Sequence, residues 1–227
     1  MKTIIVASML LGFAGSILAV DRAELDSRIH LLTAKFDALQ HNSHNKIPVE
    51  TLHKAKGIVL LDLTKAGFVF AYEGGGGVAM IKDEKSGQWS PAAFVAANEP
   101  SLGFQVGGQQ SFLVILLMDA KATDSLAETK FRFGGEARGT AGDASAGVEG
   151  EAAPREASVL VYDDRRGLYG GAAIKGGWLS PDTKANCIYY DQAVTTREIL
   201  FENKVKPTEA ASALATRIVA DSSLAKN

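Results

Sequence analysis

Four consecutive glycines, Gly74-Gly75-Gly76-Gly77, follow the apolar run Phe68 to Tyr72, the order in which a strand hands over to a phosphate-binding turn in dinucleotide-binding folds. That chemistry needs a helix to open directly after the glycines, so that its N-terminal amides face the pyrophosphate. Here Val78-Ala79-Met80-Ile81 is too short and runs into Lys85-Ser86-Gly87, so the glycines read as a hairpin turn between strands. No Gly-Lys-Ser/Thr follows a glycine loop, which removes the nucleotide-cradling loop as well.

Other reactive side chains also lack partners. His30, His41, His44 and His53 all lie early in the chain, and only His41 and His44 are spaced to approach one ion. Two imidazoles without a cysteine or a paired carboxylate are not a metal site. Neither Gly87-Gln88-Trp89-Ser90-Pro91 nor Gln109-Gln110-Ser111-Phe112 supplies the Gly-x-Ser-x-Gly elbow of serine hydrolases. Asp163-Asp164 sits beside Arg165-Arg166 as a self-compensating charged turn. Cys187 is the only cysteine, so no intrachain disulfide forms, and Asn186 to Tyr190 reads as a strand that buries its thiol. No residue is assigned a catalytic or metal-binding role, no cofactor is expected, and the chain is read as a non-enzyme.

The elements around these residues are clearer. Residues 21–40 place Leu25, Ile29, Leu32, Phe36 and Leu39 on one face of an amphipathic helix. Its apolar face suits either docking on a sheet or lying in a membrane surface. Pro48 opens a short helix that Gly57 ends. Short apolar segments follow at Ile58–Leu63, Gly67–Tyr72, Val78–Ile81, Trp89–Ala97, Leu102–Val106, Phe112–Met118, Lys130–Phe133, Ser158–Tyr162 and Leu168–Ile174, separated by turn residues. Leu113 to Met118 has no polar residue and reads as a strand buried on both faces. Thr195-Thr196-Arg197-Glu198 offers a capping box, and Pro207-Thr208 starts a last helix with Leu214, Ile218 and Val219 as its buried stripe. The fold expected is one α+β domain: an antiparallel β-rich sheet, sandwich or partial barrel flanked by N- and C-terminal helices.

Residues 1–19 carry one early cation and then a short apolar run ending Ser16-Ile17-Leu18-Ala19, the pattern of a cleavable export signal. The expected division is therefore a signal peptide at 1–19, a helix and loop at 20–46, and the main domain at 47–227. Without Lys2 the basic count falls from 24 to 23 against 26 acids, a net charge of −3. Nucleic acid is excluded as a partner on that balance, and attraction to an anionic membrane needs a local basic patch. The glycine-rich stretch 134–152 allows close approach of another backbone, or a surface for a protein partner or self-association.

In order along the chain, Leu52-His53-Lys54-Ala55-Lys56-Gly57-Ile58, Ala66-Gly67-Phe68, Gly87-Gln88-Trp89-Ser90-Pro91-Ala92, Ser101-Leu102-Gly103-Phe104-Gln105-Val106-Gly107, Gly134-Gly135-Glu136-Ala137, Gly167-Leu168-Tyr169-Gly170-Gly171 and Asn186 with Tyr189-Tyr190 resemble the SYLF domain. That family includes actin-patch regulators that bind WASP-type proteins. The resemblance implies binding of phospholipid or a membrane surface without enzymatic activity. It also implies export, as in many bacterial members, where actin and phosphoinositides are not the expected partners. Glu73 stands where members often carry a base. On this reading the lipid contacts are Arg22, Leu25, Arg28, Ile29, Leu32, Lys35 and Phe36 of the first helix, with Lys54, Lys56, Arg165 and Arg166; the alternative is an envelope scaffold that binds a protein partner.

Overall fold

A computed structural model describes residues 20–66, 72–98, 111–128, 130–133, 157–164, 167–168 and 177–223. The export signal at 1–19, the strands expected at 67–72 (apart from Tyr72) and 102–106, the glycine-rich stretch 134–152, and Arg165 with Arg166 lie outside the described residues.

Helix α1 (Arg22–His41) starts at Asp21, whose carboxylate accepts the Glu24 N–H at 2.8 Å. After α2 (Val49–Lys54) the chain enters β1 (Gly57–Ala66), β2 (Tyr72–Ile81), β3 (Ala93–Asn98) and β4 (Ser111–Leu117). Then come α3 (Ala120–Asp124), a 3-10 turn (Ser125–Ala127), β5 (Phe131–Phe133), β6 (Val159–Asp163), β7 (Gly167–Leu168) and β8 (Gly177–Pro181). Three helices finish the chain: α4 (Thr183–Tyr190), α5 (Thr196–Leu200) and α6 (Glu209–Ser223). The strands form one antiparallel sheet in the order β5-β8-β3-β2-β1-β4-β6-β7. It is the α+β domain expected, with its helices supplied from both ends of the chain.

Both faces of the sheet are covered, which explains why β1 and β4 read as continuous apolar runs rather than alternating ones. On one face Ile58, Leu60, Val78, Met80, Phe94, Val114 and Leu116 meet Leu25, Ile29, Leu32 and Phe36 of α1, Leu52 of α2, Tyr189 of α4, and Leu214 and Ile218 of α6. On the other, Val59, Leu61, Ala79, Val95, Leu113 and Ile115 meet Ala122, Leu126, Ile199, Leu200 and Val205. Phe112 through Leu117 are all at most 1% exposed, so the strand buried on both faces is present, though it ends at Leu117 and leaves Met118 half-buried.

Three local expectations are corrected. The four glycines are not a turn: they lie inside β2, paired with Thr64 to Leu61 of β1 on one side and Asn98 to Val95 of β3 on the other. Leu61 and Leu63 lean across Gly77 and Gly75, taking the space that Cβ atoms would need. Asn186 to Tyr190 is helical, because Asp182 caps α4 by accepting the Ala185 N–H at 3.0 Å; Cys187 is half-buried on that helix. Val219 is 47% exposed, and the buried stripe of α6 continues instead to Asp221, in steps of four and three from Leu214. The capping box at α5 is formed in both directions, Glu198 N–H to Thr195 at 3.2 Å and Thr195 N–H to Glu198 at 2.8 Å. Lys204 and the Thr195 donors hold the Glu198 carboxyl down at about 2.

Asp221 is the one buried carboxylate of α6: Oδ1 lies 3.4 Å from Arg217, and Oδ2 has no hydrogen-bond partner. Burial pushes its pKa up against the pull of Arg217, and the nearby Asp37, itself bonded to Arg217, adds to the rise. A carboxyl raised in the folded state stabilises it below the unfolded pKa and ceases to do so as pH rises through the folded value. Asp221→Asn is therefore expected to match or exceed the parent in stability at neutral pH, by on the order of 1 kcal/mol. The difference should shrink in acid. Thermal unfolding across a pH series checks this, and a neutral-pH loss that acid leaves unchanged contradicts it.

Candidate functional site

α1 lies on the sheet face that it shares with α2, α4 and α6, with its whole apolar stripe in the core: Leu25, Ile29, Leu32 and Phe36 are fully buried. Docking, rather than an apolar face left open to a membrane, is the arrangement present. Its cations are also engaged. Arg22 stacks 5.8 Å from the centre of the Tyr189 ring, Arg28 lies over Gly76 and 3.5 Å from Glu24, and Lys35 donates to Asp62 Oδ2 at 2.6 Å. Asp62 and Gly76 are paired in register and face the helix, so an acidic residue and a missing side chain together make room for Lys35 and Arg28. Tyr189 then ties α1 to α4 and α6: its hydroxyl donates to Asp26 at 2.7 Å and is 2.5 Å from Thr208 Oγ1. Burial, and next the Asp26 hydrogen bond, push the Tyr189 pKa up, so the phenol stays a donor.

Lys54 and Lys56, the other two lysines expected to bind, are placed differently. Both lie where α2 feeds β1, at the sheet end where β2 and β4 finish. Lys54 is exposed. Lys56 lines a cleft of about 640 Å3 between the 82–91 segment and the 200–207 segment. Lys82, Lys85 and Lys206 line it as well, against Asp83 and Glu84 as the only acids among the described residues of the lining. Its apolar side carries Trp89, Leu200, Phe201, Val205 and Pro207. A chain with a net negative charge thus has an amphipathic hollow, aromatic on one side, where among the described residues cations outnumber acids by four to two.

Local sequence builds the rim. Lys82 and Trp89 form an isolated antiparallel bridge, and between them Gly87 takes a φ of +70°. Asp83 Oδ1 accepts the Ser86 N–H at 2.7 Å, the Ser86 hydroxyl at 2.8 Å and the Lys85 N–H at 3.1 Å, bonds that hold its pKa below the usual carboxylate value. Asp83 is therefore spent on the turn, which leaves Glu84 and Lys85 exposed at the edge of the cleft. Glu84 pairs with Lys56, and Lys82 Nζ donates to the His53 carbonyl at 3.2 Å. Neither Lys85 nor Lys206 makes an ion pair among the described residues. Lys82, Lys85 and Lys206 are not among the lysines expected to bind. The signal available was a charged turn flanked by an aromatic, Lys82 to Trp89, but nothing local shows that residues 200–207 fold against it.

Ser90 in the cleft wall is not a nucleophile: its hydroxyl accepts the Ile81 N–H at 3.0 Å and donates to the Pro91 carbonyl at 2.9 Å. His53 is exposed and is not among the lining residues. His41 is engaged with the Asp37 carbonyl at 2.7 Å, and among the described residues no three His, Cys, Asp or Glu side chains converge to hold a metal ion. The arrangement can bind an anion with a small apolar part.

Residues 98–220, a little over half of the chain, match the family model described as "Ysc84: Las17-binding protein actin regulator". The chain is 29% identical over 192 residues to the human SH3 domain-containing YSC84-like protein 1, covering 83% of this chain and 56% of the relative. The Xenopus laevis protein of the same name is 32% identical over 167 residues, covering 72% and 50%. LAS seventeen-binding protein 3 of Saccharomyces cerevisiae is 28% identical over 172 residues, 74% of this chain and 37% of the relative. The chain spans about half the length of the curated relatives it matches.

Proposed function

This chain belongs to the Ysc84 family, and we propose that it is an exported, non-enzymatic binding domain that docks on anionic phospholipid surfaces through the lysine-lined cleft. The observation that supports this reading most is the concentration of Lys56, Lys82, Lys85 and Lys206 around an apolar-walled hollow in a chain whose net charge is −2. The protein's overall field repels anionic membranes, so a local patch must supply the attraction. Among the described residues no helix is long and apolar enough to cross a membrane, which fits contact at the surface. The docked helix α1 contributes by holding the scaffold together rather than by inserting its apolar face. Export rests on the pattern of residues 1–19 alone.

Co-sedimentation with phosphatidylglycerol-containing vesicles, against phosphatidylcholine alone, tests the reading. Binding is expected at low salt and should fade as the Debye length shrinks from about 10 Å at 0.1 M to about 3 Å at 1 M. Lys85→Gln or Lys206→Gln should each weaken it about fivefold, since a lysine near an anionic leaflet contributes about 1 kcal/mol. Absence of the protein from every vesicle pellet sinks the proposal.

A second reading, a protein-binding scaffold, is favoured by the relatives' names, which describe binding to another protein. On that reading crosslinking traps a specific partner while vesicles recover nothing.

A further inference from the structure

We infer that the cleft is a phosphate-headgroup site in which Glu84 stands in for the ligand, its carboxylate occupying the Lys56 ammonium that an incoming phosphate would take. The inference rests on the proposed phospholipid reading and adds to it the contact point, the ligand chemistry and an internal competitor.

Lys56 is fixed by backbone bonds on both sides: its N–H donates to Leu117 at 2.8 Å, and its carbonyl accepts the Lys82 N–H at 2.7 Å. Its ammonium therefore reaches the cleft from a rigid base. The carboxylate on it comes from a turn that is equally well defined, closed by Asp83 N–H to Gln88 at 2.8 Å and Gly87 N–H to Asp83 at 2.8 Å. Glu84 itself is 67% exposed and held to the turn only through its own backbone, so its side chain can swing away at little cost. Lys85 and Lys206 already face the same hollow without an ion pair among the described residues.

A phosphate displacing the Glu84 carboxylate would take the Lys56 ammonium in a hollow that Lys85 and Lys206 also line, and a dianion gains more from that surplus of cations than one carboxylate does. Trp89, 9% exposed, and Phe201 lie on the apolar side of the lining, where the carbon skeleton beside the phosphate would rest. The ligand class is accordingly a phosphate monoester or diester carrying a small polyol. A lipid headgroup and a soluble glycerophosphate share that chemistry.

Trp89 is one of only two tryptophans, so in a Trp178→Phe background its fluorescence reports the cleft alone. The full chain is titrated with sn-glycerol 3-phosphate, with inorganic phosphate, and with phosphatidylglycerol vesicles in phosphatidylcholine. Saturable quenching or enhancement is expected. Glu84→Gln should tighten binding by roughly two- to fivefold, the range that an exposed ion pair supports. Lys56→Gln should weaken binding and abolish the gain from Glu84→Gln, because the competitor acts only through Lys56. If the Glu84→Gln gain survives intact in the Lys56→Gln background, the effect is general charge removal and the inference fails. It fails equally if Trp89 stays silent in every arm, or if Glu84→Gln gives no gain. Vesicle pelleting with a silent Trp89 leaves the membrane reading standing and removes this site; a Trp89 response to glycerol phosphate without vesicle pelleting keeps the site and removes the membrane.

Discussion

Gly77→Ala should cost about 3 kcal/mol or more and leave most of the protein unfolded or insoluble, because the methyl group has nowhere to go. A Cβ on Gly77 would overlap the Leu60 carbonyl oxygen and lie 2.7 Å from Leu61 Cδ2. Gly77 pairs with Leu61 on one side and Val95 on the other, so relief requires moving a central strand away from both neighbours. Backbone conformation is not the issue, since among the described glycines only Gly87 has a left-handed φ. Nearby glycines provide a graded control. Gly76→Ala would place its methyl 3.2 Å from the end of Arg28, a side chain that can move, and should cost less than about 1 kcal/mol. Gly87→Ala has open space but the wrong φ, and should cost about 1 kcal/mol. Urea unfolding of the three variants, with soluble yield, gives the ranking. A Gly77→Ala protein within about 0.5 kcal/mol of the parent, the scatter of ordinary surface substitutions, contradicts it.

That cluster also shows why the sequence was legible in some places and silent in others. The apolar run of β4 and the heptad-like stripe of α1 identified themselves, because burial on two faces and burial on one helical face each leave a distinct period. The glycines resemble a turn because glycine is the commonest sign of one, and a strand interior that needs it does so for the sake of Leu60, Leu61 and Leu63, a neighbouring strand's residues. Asn186 to Tyr190 has the β-branched and aromatic content of a strand, and only the cap from Asp182 makes it a helix. The candidate site was less legible still. An apolar stripe with flanking cations describes a membrane-surface helix and a docked helix equally well. The decision lay with Asp62 and Gly76, which receive Lys35 and Arg28 from a distance in sequence. Lys56 could be singled out from its motif, but Lys206 joins it only because the chain after α5 returns to the sheet end.

Asn186→Ala is expected to lose about 3 kcal/mol, for a reason that a second substitution separates from simple cavity formation. Asn186 is fully buried, and its amide completes the β3 edge: the Phe94 N–H donates to Oδ1 at 2.7 Å, and Nδ2 donates to the Phe94 carbonyl at 3.1 Å. β8 pairs with β3 only from Val95 to Asn98; at Phe94 the carbonyl also accepts the Asp182 N–H at 3.0 Å, while the Phe94 N–H is met by the Asn186 side chain of α4. The same helix carries Tyr189, which holds Asp26 of α1, and Tyr190, whose hydroxyl donates to the Ala92 carbonyl at 2.6 Å. Loosening α4 therefore loosens α1 and the helix-covered face together. Asn186→Asp keeps the volume but, when ionised, sets a carboxylate oxygen against the Phe94 carbonyl with no proton between them. At neutral pH it should cost at least as much as alanine. Protonated, the acid can donate to the Phe94 carbonyl and accept the Phe94 N–H, as the amide does. Its folded-state pKa must then be raised, so this stability is present in acid and lost as pH rises through that value. The Asn186→Asp variant should recover toward the parent on acidification while Asn186→Ala does not. Parallel unfolding curves for the two variants at every pH would mean that Asn186 only fills space, whereas convergence of Asn186→Asp on the parent in acid would establish that the paired hydrogen bonds join α4 to the sheet.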